Sequence, residues 1–303
     1  MFYMNNKGKQ IENCITGCEK LTSEYKKILN SEEYKLGEKM IFYKNLLKNH
    51  KYLTILKKLF FRTRRYDKYL NENEIFFGNH QSSKKIAVYT AIFGKYDNIL
   101  EPIIKPDNID YYIITDQNIP SNSAWKKIDS NDALNNLKSN IEKNRYCKMF
   151  PNQFFNNYDY SIYVDGNVLI TSDLTPLIKT LDEYPISMHS HKNRNCVYDE
   201  IDACIKKNKG NKSELINHKK LLLANNVPLN FGLLEATVIA RKHHDSVCKS
   251  LMNQWWNEFV KYSKRDQISL IDVIWKNNVD IKKIATMGDN IFKNNMFIIF
   301  SHR

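Results

Sequence analysis

The sequence predicts an α/β protein, a mixed and mostly parallel sheet flanked by helices, behind an N-terminal helical extension. Two observations carry this. After residue 85, short apolar runs of strand length alternate with longer segments of helical period, the pattern of a sheet whose faces are covered by helices. Before it, residues 9–70 contain no proline, and only Gly17 and Gly37 interrupt a helix-like pattern. Composition agrees, since 42% hydrophobic and 26% charged residues are ordinary for a folded soluble protein. The longest apolar stretches fall far short of the roughly 18 residues that a membrane span needs. Met1-Phe2-Tyr3-Met4 runs into polar residues instead of a signal-peptide core, so the expected location is the cytoplasm, at most peripheral to the inner membrane face.

The N-terminal quarter, residues 1–84, reads as a basic helical extension. It holds 17 Lys/Arg against 9 Asp/Glu of a total net charge of +13. Asn30 and Glu33 resemble a capping box ahead of Leu36, Met40, Ile41, Tyr43, Leu46 and Leu47, which share one broad helical face. Residues 52–62, with Arg64 and Arg65 beyond, form a basic amphipathic stretch. Residues 40–65 therefore either touch an anionic membrane surface or pack their Leu/Phe side onto the main domain. The polar segment 71–84 is a connector, and the main domain is expected over 85–303. Six scattered cysteines without a paired CxxC spacing read as reduced, packed thiols, not a zinc site.

Within the main domain, strands are expected at Ile86–Thr90, Tyr111–Asp116, Ile162–Val164, Pro185–His189, Ala236–Arg241, Ile281–Ala285 and Met296–Phe300. Helices are expected between Asp132 and Phe155, around Leu174–Leu181, and over Val197–Lys207, Ser213–Ala224, His244–Tyr262 and Asp266–Trp275. The centre is Ile162-Tyr163-Val164, a buried strand ending on Asp165-Gly166-Asn167 and followed by a second apolar run, Val168-Leu169-Ile170. In open α/β sheets ligands collect where strands end, and an Asp-Gly-Asn turn offers hard oxygens to Mg²⁺ or Mn²⁺. The same residues also suit a plain hairpin turn.

Eight segments together resemble a known family: VYTAIFGKYD (88–97), YYIITDQ (111–117), NRYCKMFP (144–151), YSIYVDGNVLI (160–170), HSHKNRNCVYDEIDACI (189–205), GLLEATVIARKH (232–243), WWNEF (255–259) and RDQIS (265–269). Their order and spacing are similar to the glycosyltransferase-like domain of plant pectin and mucilage proteins and of bacterial surface-polysaccharide clusters, formerly a domain of unknown function. The resemblance implies a GT-A type fold and transfer of a sugar from a nucleotide-diphosphate donor to a hydroxyl of a glycan, lipid-linked or protein acceptor. It places a divalent metal at the acidic turn, with Asp165, Asn167 and the C-terminal His302 as ligands. An amide stands where the family pattern has a second carboxylate, so Mn²⁺ or Mg²⁺ binding is weakened or dispensable. Thr90, Tyr96 and Asp97, after the first strand, are placed like the nucleotide-contacting loop, and Asp116, ending the second strand, is placed to accept a hydrogen bond from the base or ribose. Arg145 and Lys148, one helical turn apart, suit the phosphates. Asn230-Phe231-Gly232 and Asp266-Gln267 resemble the Asn-x-Gly turn and the Asp-Gln pair of glycogenin-like transferases, with Asn230 and Gly232 on the donor sugar and Asp266 and Gln267 near the reacting carbon.

His189, His191, Arg194, Tyr198, Asp199 and Glu200 form the densest polar cluster. His189, His191 and Arg194 suit acceptor hydroxyls or phosphate, and Glu200 is a further catalytic carboxylate. The competing reading is a catalytically inactive GT-A-like protein that binds a polyanion or membrane surface. A nucleic-acid partner is not expected, because no recognised module for one is present.

Overall fold

The computed structural model describes residues 85–302. The expected capping box, the amphipathic stretch and the connector before Lys85 lie outside the described residues. Strand β1 (Ile86–Ile92) is buried at every position, as a strand covered on both faces requires. It pairs in parallel with β2 (Ile109–Thr115) on one side and β4 (Tyr160–Val164) on the other, Tyr89 standing between Tyr112 and Tyr163. β3 (Lys126–Ile128) adds a parallel edge to β2. Beyond β4 the direction reverses: β7 (Leu234–Arg241) runs antiparallel to β4, and β6 (Ile186–Ser190) antiparallel to β7. The order is β3-β2-β1-β4-β7-β6, mostly parallel as expected.

This topology decides what meets at the site. The C-terminal ends of β1, β2, β4 and β6 and the N-terminal end of the reversed β7 all fall on one edge of the sheet. Two expectations need correction. Residues 281–285 do not form a strand, because Ile281–Lys283 is a 3-10 turn capped by Asp280. The strand near the C-terminus exists as β8 (Phe297–Ile299), but it leaves the main sheet to pair with β5 (Val168–Ile170) in a separate two-stranded sheet.

Alternate residues of β1 enter two cores. Ala87, Tyr89 and Ala91 pack toward the helical face, which includes Cys147 of α2 (Asn140–Met149), Trp255 of α5 (Ser246–Lys261) and Ile271 of α6 (Asp266–Lys276). Ile86, Val88 and Ile92 pack toward Leu177 of a 3-10 helix, Thr175–Leu181, and toward Val168, Ile170 and Phe297 of the small sheet. The remaining α-helices are α1 (Asp132–Asn135), α3 (Val197–Lys206) and α4 (Lys212–Ala224). Cys147, Cys196, Cys204 and Cys248 are free and buried.

Helix α2 is fixed at both ends. Ser139 accepts from the Glu142 amide at its start. At its C-terminus Tyr89 donates to the Cys147 and Lys148 carbonyls, and the fully buried Arg241 donates to the Lys148 carbonyl at 2.6 Å and to the Tyr89 hydroxyl at 2.6 Å. A buried cation at the negative end of a helix dipole is favourably placed.

Candidate active site

The acidic turn is not a hairpin. β4 and β5 do not pair with each other; the Asp165 amide donates to the Thr237 carbonyl of β7 at 2.9 Å, and Val168 closes the turn onto the Asp165 carbonyl at 3.0 Å. Gly166 is required by space, since a Cβ there would meet Ile92 Cγ1 at 2.8 Å and Asp97 Oδ2 at 3.1 Å. Asn167 clamps the chain after β8: its carbonyl accepts from the Phe300 amide at 2.9 Å and its side-chain amide donates to the Phe300 carbonyl at 2.7 Å. Two residues on, His302 Nδ1 lies 3.0 and 3.2 Å from the two oxygens of the buried Asp97. The Asp97 hydrogen bond, opposed by burial, holds the His302 ring above its ordinary pKa, and Asp165 is close enough to add to the effect.

Four charges interlock beneath the turn. Lys148 Nζ, only 1% exposed, sits 3.1 Å from Asp165 Oδ1 and 2.9 Å from Asp266 Oδ2, while Arg145 Nε approaches the same Asp266 oxygen at 2.9 Å. Asp266 is the first residue of α6, with Arg265 at the cap position, so its carboxylate also lies at the positive end of a helix. Burial pushes the Asp266 carboxyl up, yet Arg145, Lys148 and Arg265 outweigh it and hold the group well below the usual carboxylate range. Tyr163 donates to Asp165 Oδ1 at 2.8 Å. Burial and that carboxylate push the Tyr163 hydroxyl well above its usual range, so it remains a donor.

The loop after β1 forms the next wall. Gly94 adopts φ 66°, and its amide donates to Asp116 at 2.9 and 3.2 Å, so Asp116 shapes this loop from the end of β2. Gln117 Nε2 donates to the Asp97 carbonyl at 3.3 Å. A Cβ on Gly94 would collide with the Asn140 side chain. Gly94→Ala is therefore expected to cost about 1–3 kcal/mol through left-handed strain and the clash, measured as a lower midpoint in chemical unfolding. Tyr96 is exposed, its ring 4.8 Å from that of His302. Thr90 is buried, and its hydroxyl has no hydrogen-bond partner among the described residues.

The opposite wall comes from β6 and β7. Arg194 holds Glu200 Oε2 through Nε at 2.6 Å and Nη2 at 2.5 Å. His191 Nδ1 accepts from the Arg194 amide at 3.1 Å, which leaves its Nε2 facing Glu235 Oε2 at 3.8 Å and Glu200 Oε2 at 4.0 Å. Gln267 donates to Glu235 Oε1 at 2.8 Å. Asn230 is exposed at φ 58°, and no hydrogen bond joins it to these charges among the described residues. The Gly232 amide donates to the Asn195 carbonyl at 2.8 Å. His189 must be set aside as an acceptor contact. It is fully buried beside Phe297 and Asn294, and burial pushes its pKa down to about 4.

Two side chains of metal-ligating type belong to the turn and the segment it clamps. Asp165 offers a carboxylate, and His302 has its Nδ1 engaged by Asp97, the second-sphere carboxylate that orients metal-bound imidazoles. Among the described residues no group of three or more His, Cys, Asp or Glu is spaced to hold an ion. Mg²⁺-type sites are commonly completed by substrate phosphates and water. Asn167 spends its side-chain nitrogen on Phe300, so it positions the His302 segment whatever its oxygen does.

Sequence reading missed Glu235, which lies at the same sheet edge with Thr237 and Gln267 donating to it. The available signal was a lone carboxylate interrupting the apolar strand Leu233 to Ile239.

Among solved structures the chain is similar to the apo structure of the bifunctional glycosyltransferase WbbM, at 11% identity and a TM-score of 0.41, over 66% of this chain and 39% of that one. It thus spans about two-fifths of that protein's length. No curated protein matches. Residues 73–302 match the TOD1/MUCI70, glycosyltransferase-like domain, and the chain belongs to that family.

Proposed function

We propose that this protein is a glycosyltransferase that moves a sugar from a nucleoside-diphosphate donor to a hydroxyl of a glycan, lipid-linked or protein acceptor. The observation that supports this most is the cluster in which Lys148 bridges Asp165 and Asp266 and Arg145 joins it at Asp266, at the strand edge where α/β proteins bind ligands. Tyr96, Asp97 and Thr90 line the nucleotide side, and Asp116 holds their loop. Arg145 and Lys148 face the diphosphate, Asp266 fixes both cations, and Gln267 lies toward the sugar carbon. Asn230 and Gly232 flank the sugar. His191, Arg194 and Glu200 form the acceptor wall.

Charge balance argues for an added cation. Arg145 and Lys148 are already matched by Asp165 and Asp266, so a diphosphate entering this crevice meets no net positive charge from them. Mn²⁺ or Mg²⁺ held by Asp165 and His302, with Asn167 beside them, would supply that charge and stabilise the leaving diphosphate. The chain's own contribution is to orient the two cationic side chains before the donor arrives, so that little reorganisation is needed as the phosphate gains charge.

Thermal unfolding with UDP, GDP and CDP, each with and without Mn²⁺, tests the proposal. A matching nucleotide at a hundredfold excess over its Kd is expected to raise Tm by roughly 5–10 °C, more with the metal than without it. If none of them shifts Tm in either condition, the proposal fails.

A further inference from the structure

Apart from Asp97 and Asp116 on the loop side, four carboxylates stand beneath the turn and along the β6–β7 wall, and three of them are held by cations. Asp266 takes Arg145 and Lys148, Asp165 takes Lys148 and the Tyr163 hydroxyl, and Glu200 takes two nitrogens of Arg194. A carboxylate paired in this way is a weak proton acceptor, because protonation discards the ion pair. Glu235 differs. Its Oε1 accepts from two neutral donors, Gln267 Nε2 at 2.8 Å and the Thr237 hydroxyl at 2.9 Å. Its Oε2 faces His191 Nε2 at 3.8 Å, an imidazole whose Nδ1 lies against the Arg194 amide and whose pKa burial lowers.

We infer that Glu235 is the proton acceptor for the incoming hydroxyl. The inference rests on the glycosyltransferase reading above and deepens it. As the acceptor oxygen bonds to the sugar carbon, its proton passes to Glu235 Oε2. The bond from that carbon to the phosphate oxygen breaks, and the diphosphate departs with the electron pair. Glu235 then returns its proton to solvent past its partly open side.

The surroundings suit the task. Burial raises the Glu235 pKa, and Asp165 from the turn and Asp266 from α6 push the same way, while the Thr237 hydrogen bond and Lys148 from α2 oppose them. A base is most effective when its pKa approaches the working pH, and the environment of Glu235 moves it in that direction.

Glu235→Gln is the test, because the amide oxygen can still accept from Gln267 and Thr237. Nucleotide-sugar hydrolysis, with water as acceptor, is followed against pH for wild type and variant. Thermal stabilisation by nucleoside diphosphate and Mn²⁺ is measured alongside. The expected result is a fall in kcat of about 10²–10⁴-fold, loss of the acid limb of the pH profile, an unchanged donor KM and an unchanged nucleotide stabilisation. A variant that keeps its rate within about threefold, keeps the acid limb, or loses nucleotide stabilisation in parallel overturns the assignment. A wild type that no nucleoside diphosphate stabilises overturns the glycosyltransferase reading itself, and this inference with it.

Discussion

Asp266→Asn is expected to lower the unfolding free energy by about 3–5 kcal/mol at pH 7, the usual consequence of breaking a buried ion cluster by removing one member. The amide can still accept a hydrogen bond, but Arg145 loses its ion pair with Asp266 and Lys148 keeps the one with Asp165. Against a typical total of 5–15 kcal/mol this is a large fraction, and Tm should fall by roughly 6–20 °C. The pH dependence identifies the cause. Asp266 has a folded pKa below its unfolded value, so its contribution is complete above the unfolded pKa of about 4 and disappears as pH falls toward the folded value. The stability gap between wild type and variant should therefore be constant from about pH 5 to 8 and narrow below about pH 4. A gap independent of pH down to about pH 2 would mean that the loss comes from packing, not charge.

Asp165→Ala should give the opposite profile. Asp165 is partly exposed, and the buried Lys148 keeps Asp266 as a partner when it is removed, so unliganded Tm should fall by less than in Asp266→Asn, which takes a partner from two cations at once. Nucleotide stabilisation should lose its Mn²⁺-dependent part, and turnover should fall by about 10²–10³-fold or more, as when a preorganised electrostatic contact is deleted. The two aspartates share one lysine, yet one is expected to carry stability and the other function.

The central part of this arrangement was legible in the sequence because each piece has a local signature. An apolar strand ending on Asp165 predicts a carboxylate at a sheet edge, and Arg145 and Lys148 at helical spacing predict a shared face. What the sequence does not carry is strand direction. Ile186–Ser190 and Leu234–Arg241 have the apolar patterns of any buried strand, and only their antiparallel pairing brings Glu235 to the same edge as Asp165. Glu235 was missed for that reason, and because Gln267, Thr237 and His191 reach it from three separate elements. The edge strand Lys126–Ile128 escaped because its Lys-Lys-Ile sequence has no apolar alternation and is held by pairing with Tyr112–Ile114. The apolar run near Ile281 was too short to separate a strand from a 3-10 turn. His189 and His191, two residues apart, were read as sharing one strand face, but β6 ends at Ser190: His189 is fully buried within the strand, whereas His191 lies beyond it, near Glu200 and Glu235.

The most direct test is release of nucleoside diphosphate from a set of UDP, GDP and CDP sugars by wild type and by Asp165→Ala, with and without Mn²⁺. The account predicts release from at least one donor, stimulation by the metal, and loss of that release in the variant. Equal release by the two proteins, or none from any donor by the wild type, would contradict it.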